Sequence, residues 1–153
     1  MKQIILLFIV LGFFTANAQK ITQQTLQGKW DLTALEARHS EGFYLDFIQE
    51  EVKFSPDFES GLDAEAKKNV IEGLKQIILV MKNATMSYTD NRFTRFIANE
   101  NSEGTFSVID KDGKTYLQAI DVTGKEETTE IYLKDGLLYI NISNEALFIF
   151  TKQ

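Results

Sequence analysis

Cysteine is absent from this 153-residue chain. That excludes disulfide staples and thiolate metal centres. Histidine is nearly absent: His39 stands alone, and one imidazole supplies few of the three or four ligands zinc needs. Proline occurs once, at Pro56. Basic residues are outnumbered, 16 Lys and Arg against 22 Asp and Glu, for a net charge of −6. A chain so balanced lacks the positive face that phosphate backbones require, so no nucleic-acid partner is expected. Long apolar runs are scarce beyond the first 18 residues, and none there reaches the length of a membrane-spanning helix. What is present is 44% hydrophobic and 12% aromatic residues, too many for a disordered chain.

The first 18 residues read as an address. Lys2 precedes an apolar stretch from Ile4 to Phe14, and Ala16-Asn17-Ala18 comes next as an A-x-A cleavage pattern. The apolar stretch would span roughly 16 Å as a helix, about half of a bilayer core. We therefore expect a bacterial-style signal peptide at residues 1–18 and a single exported domain at 19–153, soluble in the periplasm or secreted. Without a cysteine after the apolar run, a lipoprotein anchor is excluded, and no stable membrane anchor is expected.

The remaining chain divides by periodicity. Trp30, Leu32 and Ala34 alternate with Asp31 and Thr33, which predicts a half-buried strand over residues 29–35. Over residues 63–82 the spacing is helical. Val70, Ile71, Leu74, Ile77, Ile78 and Met81 share one face, with Asp63 as N-cap. Leu79 and Val80 point away from that face, so the last helical turn is apolar all round. Residues 43–54 favour helix by the placement of Phe43, Phe47, Ile48 and Val52. Their aromatic and β-branched content keeps strand as the alternative.

From residue 84 onward, strands are expected at 84–89, 92–99, 103–110, 114–121, 126–134, 137–142 and 145–152. The tightest joints fall at Asp90-Asn91, Asp112-Gly113, Asp135-Gly136 and Ser143-Asn144, residues that suit tight turns. Loops this short join antiparallel neighbours. Seven such strands plus the one at Trp30 make eight, and closure removes the exposed edges. The expected fold class is mainly β. It is an antiparallel up-and-down barrel of about eight strands with a helical insertion after the first.

Leu26-Gln27-Gly28-Lys29-Trp30 opens the first strand. This stretch resembles the G-x-W start of the lipocalin superfamily, and in particular that of bacterial lipocalin-like domains. The resemblance implies structural roles: Gly28 lets the chain enter the barrel closely, and Trp30 plugs the closed end. It also implies a basic side chain laid across the indole, from Lys152, Arg92 or Arg95. In the wider superfamily, fatty-acid-binding proteins place helices between the first two strands, over the barrel mouth. By that likeness Leu74, Ile78 and Met81 would belong to a lid. The alternative is a helix that packs outside the barrel or covers a sheet edge.

Motifs that suggest chemistry are weak. Arg38-His39-Ser40-Glu41 places His beside Ser, but adjacency in sequence does not make a triad. Asp110-Lys111-Asp112-Gly113 begins like a calcium loop and lacks its late glutamate, so a hairpin turn is the better reading. Glu50-Glu51 and Glu126-Glu127 are expected on solvated surface, and the strand pair cannot share one face. No catalytic residue, metal ligand or cofactor is expected. Several late strands are apolar on both faces, which a helix-covered barrel or a homodimer would explain. Tyr116, Ile120, Phe148 and Phe150 are expected as the inward set lining a ligand pocket. The expected function is binding of a small apolar or amphipathic molecule. A protein-interaction or structural module, docking through the apolar helix end, is the alternative.

Overall fold

A computed structural model describes residues 20–37 and 42–153. The expected signal peptide and the His39 stretch lie outside the described residues. The elements run in this order: α1 (Gln23–Leu26), β1 (Gly28–Ala37), β2 (Phe43–Asp46), β3 (Glu51–Phe54), α2 (Pro56–Ser60), α3 (Ala64–Met81), β4 (Thr85–Thr89), β5 (Arg92–Ile97), β6 (Glu100–Lys111), β7 (Lys114–Asp121), β8 (Glu126–Lys134), β9 (Leu137–Asn141) and β10 (Ala146–Lys152).

Strands β4 to β10 form an antiparallel meander. Closure comes from β1, which pairs with β4 on one edge and with β10 on the other. Eight strands thus make a closed barrel, as the strand count predicts. Tight turns join them. Asp112 and Gly113 adopt φ of +53° and +76°, and Asp135 and Gly136 adopt +53° and +79°. These are the angles that two-residue hairpins demand. One turn differs from expectation. Ala98 and Asn99, with φ of +52° and +65°, reverse the chain at once, so β6 begins at Glu100 rather than 103.

The reading of residues 43–54 as helix is overturned. They form a hairpin, β2 and β3, in which Phe43 faces Phe54 and Leu45 faces Val52. The turn decides it. The Asp46 carboxylate accepts from the N–H groups of Ile48 and Gln49 at 3.0 and 2.9 Å, and Glu50 takes φ of +54°. An Asx turn of this kind competes with helix for the same backbone groups. The hairpin pairs with residues 34–36 of β1, beyond the part that β4 covers. The insertion is therefore a hairpin and then helices.

Helix α3 starts at the expected cap, where the Asp63 carboxylate accepts from Ala66 N–H at 2.8 Å. Leu74, Ile78 and Met81 are buried, and α3 packs against β2 and β3. They join one continuous core with Leu45, Phe47, Trp30, Met86 and Phe150.

A bulge in β1 changes the expected alternation. The register against β10 slips between Leu32 and Ala34. Thr33 is the extra residue, and its hydroxyl donates to the Ile149 carbonyl at 3.0 Å. A bulge reverses the facing of the residues beyond it. Trp30, Leu32 and Leu35 therefore face the main core, while Ala34 joins Leu147 and Ile149 in a separate cluster. Tyr44, Tyr132, Leu137 and Tyr139 pack onto that cluster, with Tyr132 stacked on Tyr139 at 4.6 Å. Tyrosines thus pack over the outer apolar cluster of β1 and β10, while Ile109 and Ile120 stay exposed.

Candidate functional site

The two ends of the barrel differ. At one end, Trp30 is buried and its indole N–H donates to the Leu26 carbonyl at 2.8 Å. The Lys152 ammonium lies 5.4 Å from the ring centre and also reaches the Thr25 carbonyl at 3.4 Å. Of the three basic candidates, Lys152 is the one laid over the indole. Arg95 instead stands 5.3 Å from the Phe93 ring, and Arg92 is exposed. Gly28 holds φ of +109°, and a Cβ there would meet Lys152 Cε at 3.0 Å. The positive φ is what requires glycine, since the Lys152 stem can shift aside. The Gln27 side chain bonds both the N–H and the carbonyl of Asp90, at 2.7 and 2.9 Å, and so ties the entry segment to the β4–β5 turn.

Away from that plug lies a cavity of about 190 Å³. Its apolar wall is built by Met86, Leu117, Ala119, Ile140, Phe148 and Phe150, with Ile97 and Ile142 beyond them. The Phe148 and Phe150 rings stand edge to face, 6.2 Å apart at 89°. Three polar side chains complete the lining: Arg95, Glu127 and Thr129. Arg95 Nη1 pairs with Glu127 Oε2 at 2.8 Å, and Arg95 Nε donates to Ser102 Oγ at 2.7 Å. Both charged side chains are part-exposed, 27% for Arg95 and 43% for Glu127, so the pair stands at the wall and not in the dry interior. On the outer face of β4, β5 and β6, behind Arg95, lies a wider hollow of about 580 Å³, open to solvent. Its lining is mostly polar, with Phe96 and Val122 the apolar exceptions.

Deeper in the core, Tyr88 packs edge to face on Phe106 at 4.8 Å. Its hydroxyl is buried and has no hydrogen-bond partner among the described residues. Burial pushes the Tyr88 phenol well above its usual range, against an opposing pull from the Arg95 charge.

Two of the four pocket residues expected from sequence line the cavity, Phe148 and Phe150. Tyr116 and Ile120 do not. They alternate with Leu117 and Ala119, which take the inward positions. Both halves of β7 carry apolar side chains, so size pointed the wrong way. The usable signal was Gln118, which shares the Tyr116 face and accepts from Ser107 Oγ at 3.5 Å outside the core. Leu74, Ile78 and Met81 are buried in the shared core and are not among the residues lining this cavity, and α3 packs against β2 and β3. Glu126 and Glu127 face opposite ways as expected, yet Glu127 lines the cavity where solvated surface was expected. Arg95, Glu127 and Thr129 were missed because residues from separate strands meet only through the register.

The Asp110–Gly113 stretch forms the β6–β7 turn, with the Asp110 carboxylate accepting from the Thr115 hydroxyl at 2.8 Å. That bond and Lys20 hold the Asp110 carboxyl below its usual range.

Fold and site together define the class: a closed eight-stranded antiparallel barrel, plugged at one end and hollow toward the other. No family model matches the chain, and no curated protein matches it. Among solved structures, a DUF4847 family protein from Bacteroides vulgatus is similar, with 13% identity and a TM-score of 0.47. The likeness covers 84% of this chain and 96% of that one. Likeness at that level carries no functional argument, and the barrel rests on its own strand pairing.

Proposed function

We propose that the chain is an exported, non-enzymatic protein that binds a small apolar or amphipathic molecule inside its barrel. One observation carries this reading: the 190 Å³ cavity joins an aromatic and aliphatic wall to a few convergent polar groups. That combination is what small-molecule sites share. The lipocalin-like start at Gly28 and Trp30, with its plugged end, supports the same reading by resemblance. Native mass spectrometry of the purified protein, with a thermal-shift screen of small aromatics, fatty acids and other lipids, tests it. Retained ligand or saturable stabilisation is expected. A barrel that carries nothing and responds to nothing would overturn the reading.

A second reading has its own observation. Ile77, Leu79 and Val80 at the end of α3 are 40%, 53% and 43% exposed, and Ile48 in the hairpin turn is 68% exposed. Lys82 bonds Glu50 at 2.9 Å and holds that turn beside the helix end. Scattered apolar groups are ordinary, but a contiguous patch serves docking, to a second copy or to another protein. Light scattering after size exclusion, for wild type and Leu79→Asp, tests docking to a second copy. Equal monomer masses would exclude self-association.

A further inference from the structure

We infer that the ligand is a small neutral ring compound carrying one hydrogen-bonding group, of phenol or indole size, and not a carboxylate or a long fatty chain. The inference rests on the binding reading above and goes beyond it by naming the chemical class. Three observations lead there.

Volume comes first. A benzene ring is held by an apolar cavity of about 150 Å³. The cavity here, about 190 Å³, takes one ring and little more. A long acyl chain would leave most of its length outside. Shape agrees. The perpendicular Phe148 and Phe150 rings offer an edge and a face to a flat guest, which aromatic quadrupoles favour.

Charge separates a phenol from a benzoate. Among the described residues, Arg95 is the only cation lining the cavity, and its charge is already matched by Glu127 at 2.8 Å. A ligand carboxylate would have to displace Glu127 or stand beside it, placing two anions together in a partly desolvated wall. Like charges disfavour one another's ionised form there. A neutral hydroxyl or ring N–H meets no such opposition. It can donate to Glu127 or to the Thr129 hydroxyl, and a phenol oxygen can accept from the second terminal nitrogen of the guanidinium.

Isothermal titration of the full domain with phenol, indole, benzoate and palmitate tests the inference, alongside Glu127→Gln and the double variant Arg95→Gln/Glu127→Gln. Wild type is expected to bind phenol or indole at least about tenfold more tightly than benzoate or palmitate. Glu127→Gln uncovers the Arg95 charge, so benzoate affinity should rise about tenfold, whereas phenol, which loses a charged acceptor, should gain nothing. The double variant should lose that gain, which ties it to Arg95 and not to altered packing. Circular dichroism confirms that each variant folds, and the exposure of Glu127 favours this. Wild-type binding of benzoate or palmitate as tight as phenol would overturn the class while leaving a binding barrel. Absence of any gain in Glu127→Gln would overturn the charge argument. No binding of any probe to any form would overturn the class and, unlike the two preceding outcomes, count against the binding reading as well.

Discussion

Two glycines should answer the same substitution with opposite signs. Gly104 sits in β6 opposite Phe93 and Asp121, on the inward face. A Cβ placed there would lie 2.7 Å from Asp121 Cα and 2.8 Å from the Ile120 carbonyl carbon, and closer still to the Ile120 oxygen. All three obstacles are backbone. No side chain can swing aside, so β6 and β7 must part. Forced overpacking of this kind costs roughly 1–3 kcal/mol where side chains can yield, and more where backbone must move. Gly104→Ala should therefore lose at least about 2 kcal/mol. Gly73 lies in the exposed interior of α3, with nothing within 4 Å of its virtual Cβ. Alanine there gains helix propensity and restricts the unfolded chain, for a stabilisation of about 0.5–1 kcal/mol.

Urea unfolding read by circular dichroism and by the fluorescence of Trp30, the single tryptophan, measures both. On the thermal scale, 1 kcal/mol corresponds to roughly 3–5 °C for a domain of this size. The two variants should differ by about 2.5 kcal/mol or more. A Gly104→Ala protein within about 0.5 kcal/mol of wild type would refute the close strand approach. A destabilised Gly73→Ala protein would refute the open helix surface.

Further outcomes rest on single side chains. Tyr88→Phe removes a buried, unpartnered hydroxyl while keeping the ring on Phe106, so it should raise stability by about 1 kcal/mol in chemical denaturation. The folded state raises the phenol pKa of Tyr88 by burial, and of Tyr44 and Tyr139 by burial and by neighbouring groups. A raised phenol pKa means that the folded protein holds its proton more tightly than the unfolded chain. This stability is fully present below about pH 10 and is lost as pH rises beyond it. Melting temperatures across pH 8 to 11 should fall at the alkaline end, and less steeply in Tyr88→Phe. In a double-mutant cycle of Trp30→Phe with Lys152→Met, the cation over the indole should give a coupling of about 0.5–1 kcal/mol. A coupling near zero would assign Lys152 to solvent.

Elements that depend on neighbours in sequence were readable. The amphipathic run of α3, its Asp63 cap and the Asp-Gly turns all act within a few residues, and they appear where spacing places them. Trp30 and Gly28 were readable for the same reason, since a short motif contains both. The failures have a common cause. At 43–54 the apolar spacing fits either a helix or a hairpin, and a single carboxylate accepting from two N–H groups tips the balance. In β1 one extra residue at Thr33 reverses the facing of Ala34, and nothing local announces it. In β7 both faces are apolar, one for the interior and one for the outer surface, so periodicity alone leaves the inward set undecided.

The cavity wall extends this argument. Phe148 and Phe150 share one strand, and two-residue alternation is enough to group them. Arg95 and Glu127 come from β5 and β8, which are not neighbours in the sheet. Their 2.8 Å contact spans the intervening β6 and β7 on the concave side, so it depends on the curvature of these four strands. The apolar half of the site is therefore a property of local sequence, and the polar half is a property of how the sheet curves. In the proposed binding, specificity between neutral and anionic guests falls to the second half. Gly104→Ala, which forces apart the two strands between Arg95 and Glu127, should therefore weaken discrimination between phenol and benzoate before it abolishes phenol binding.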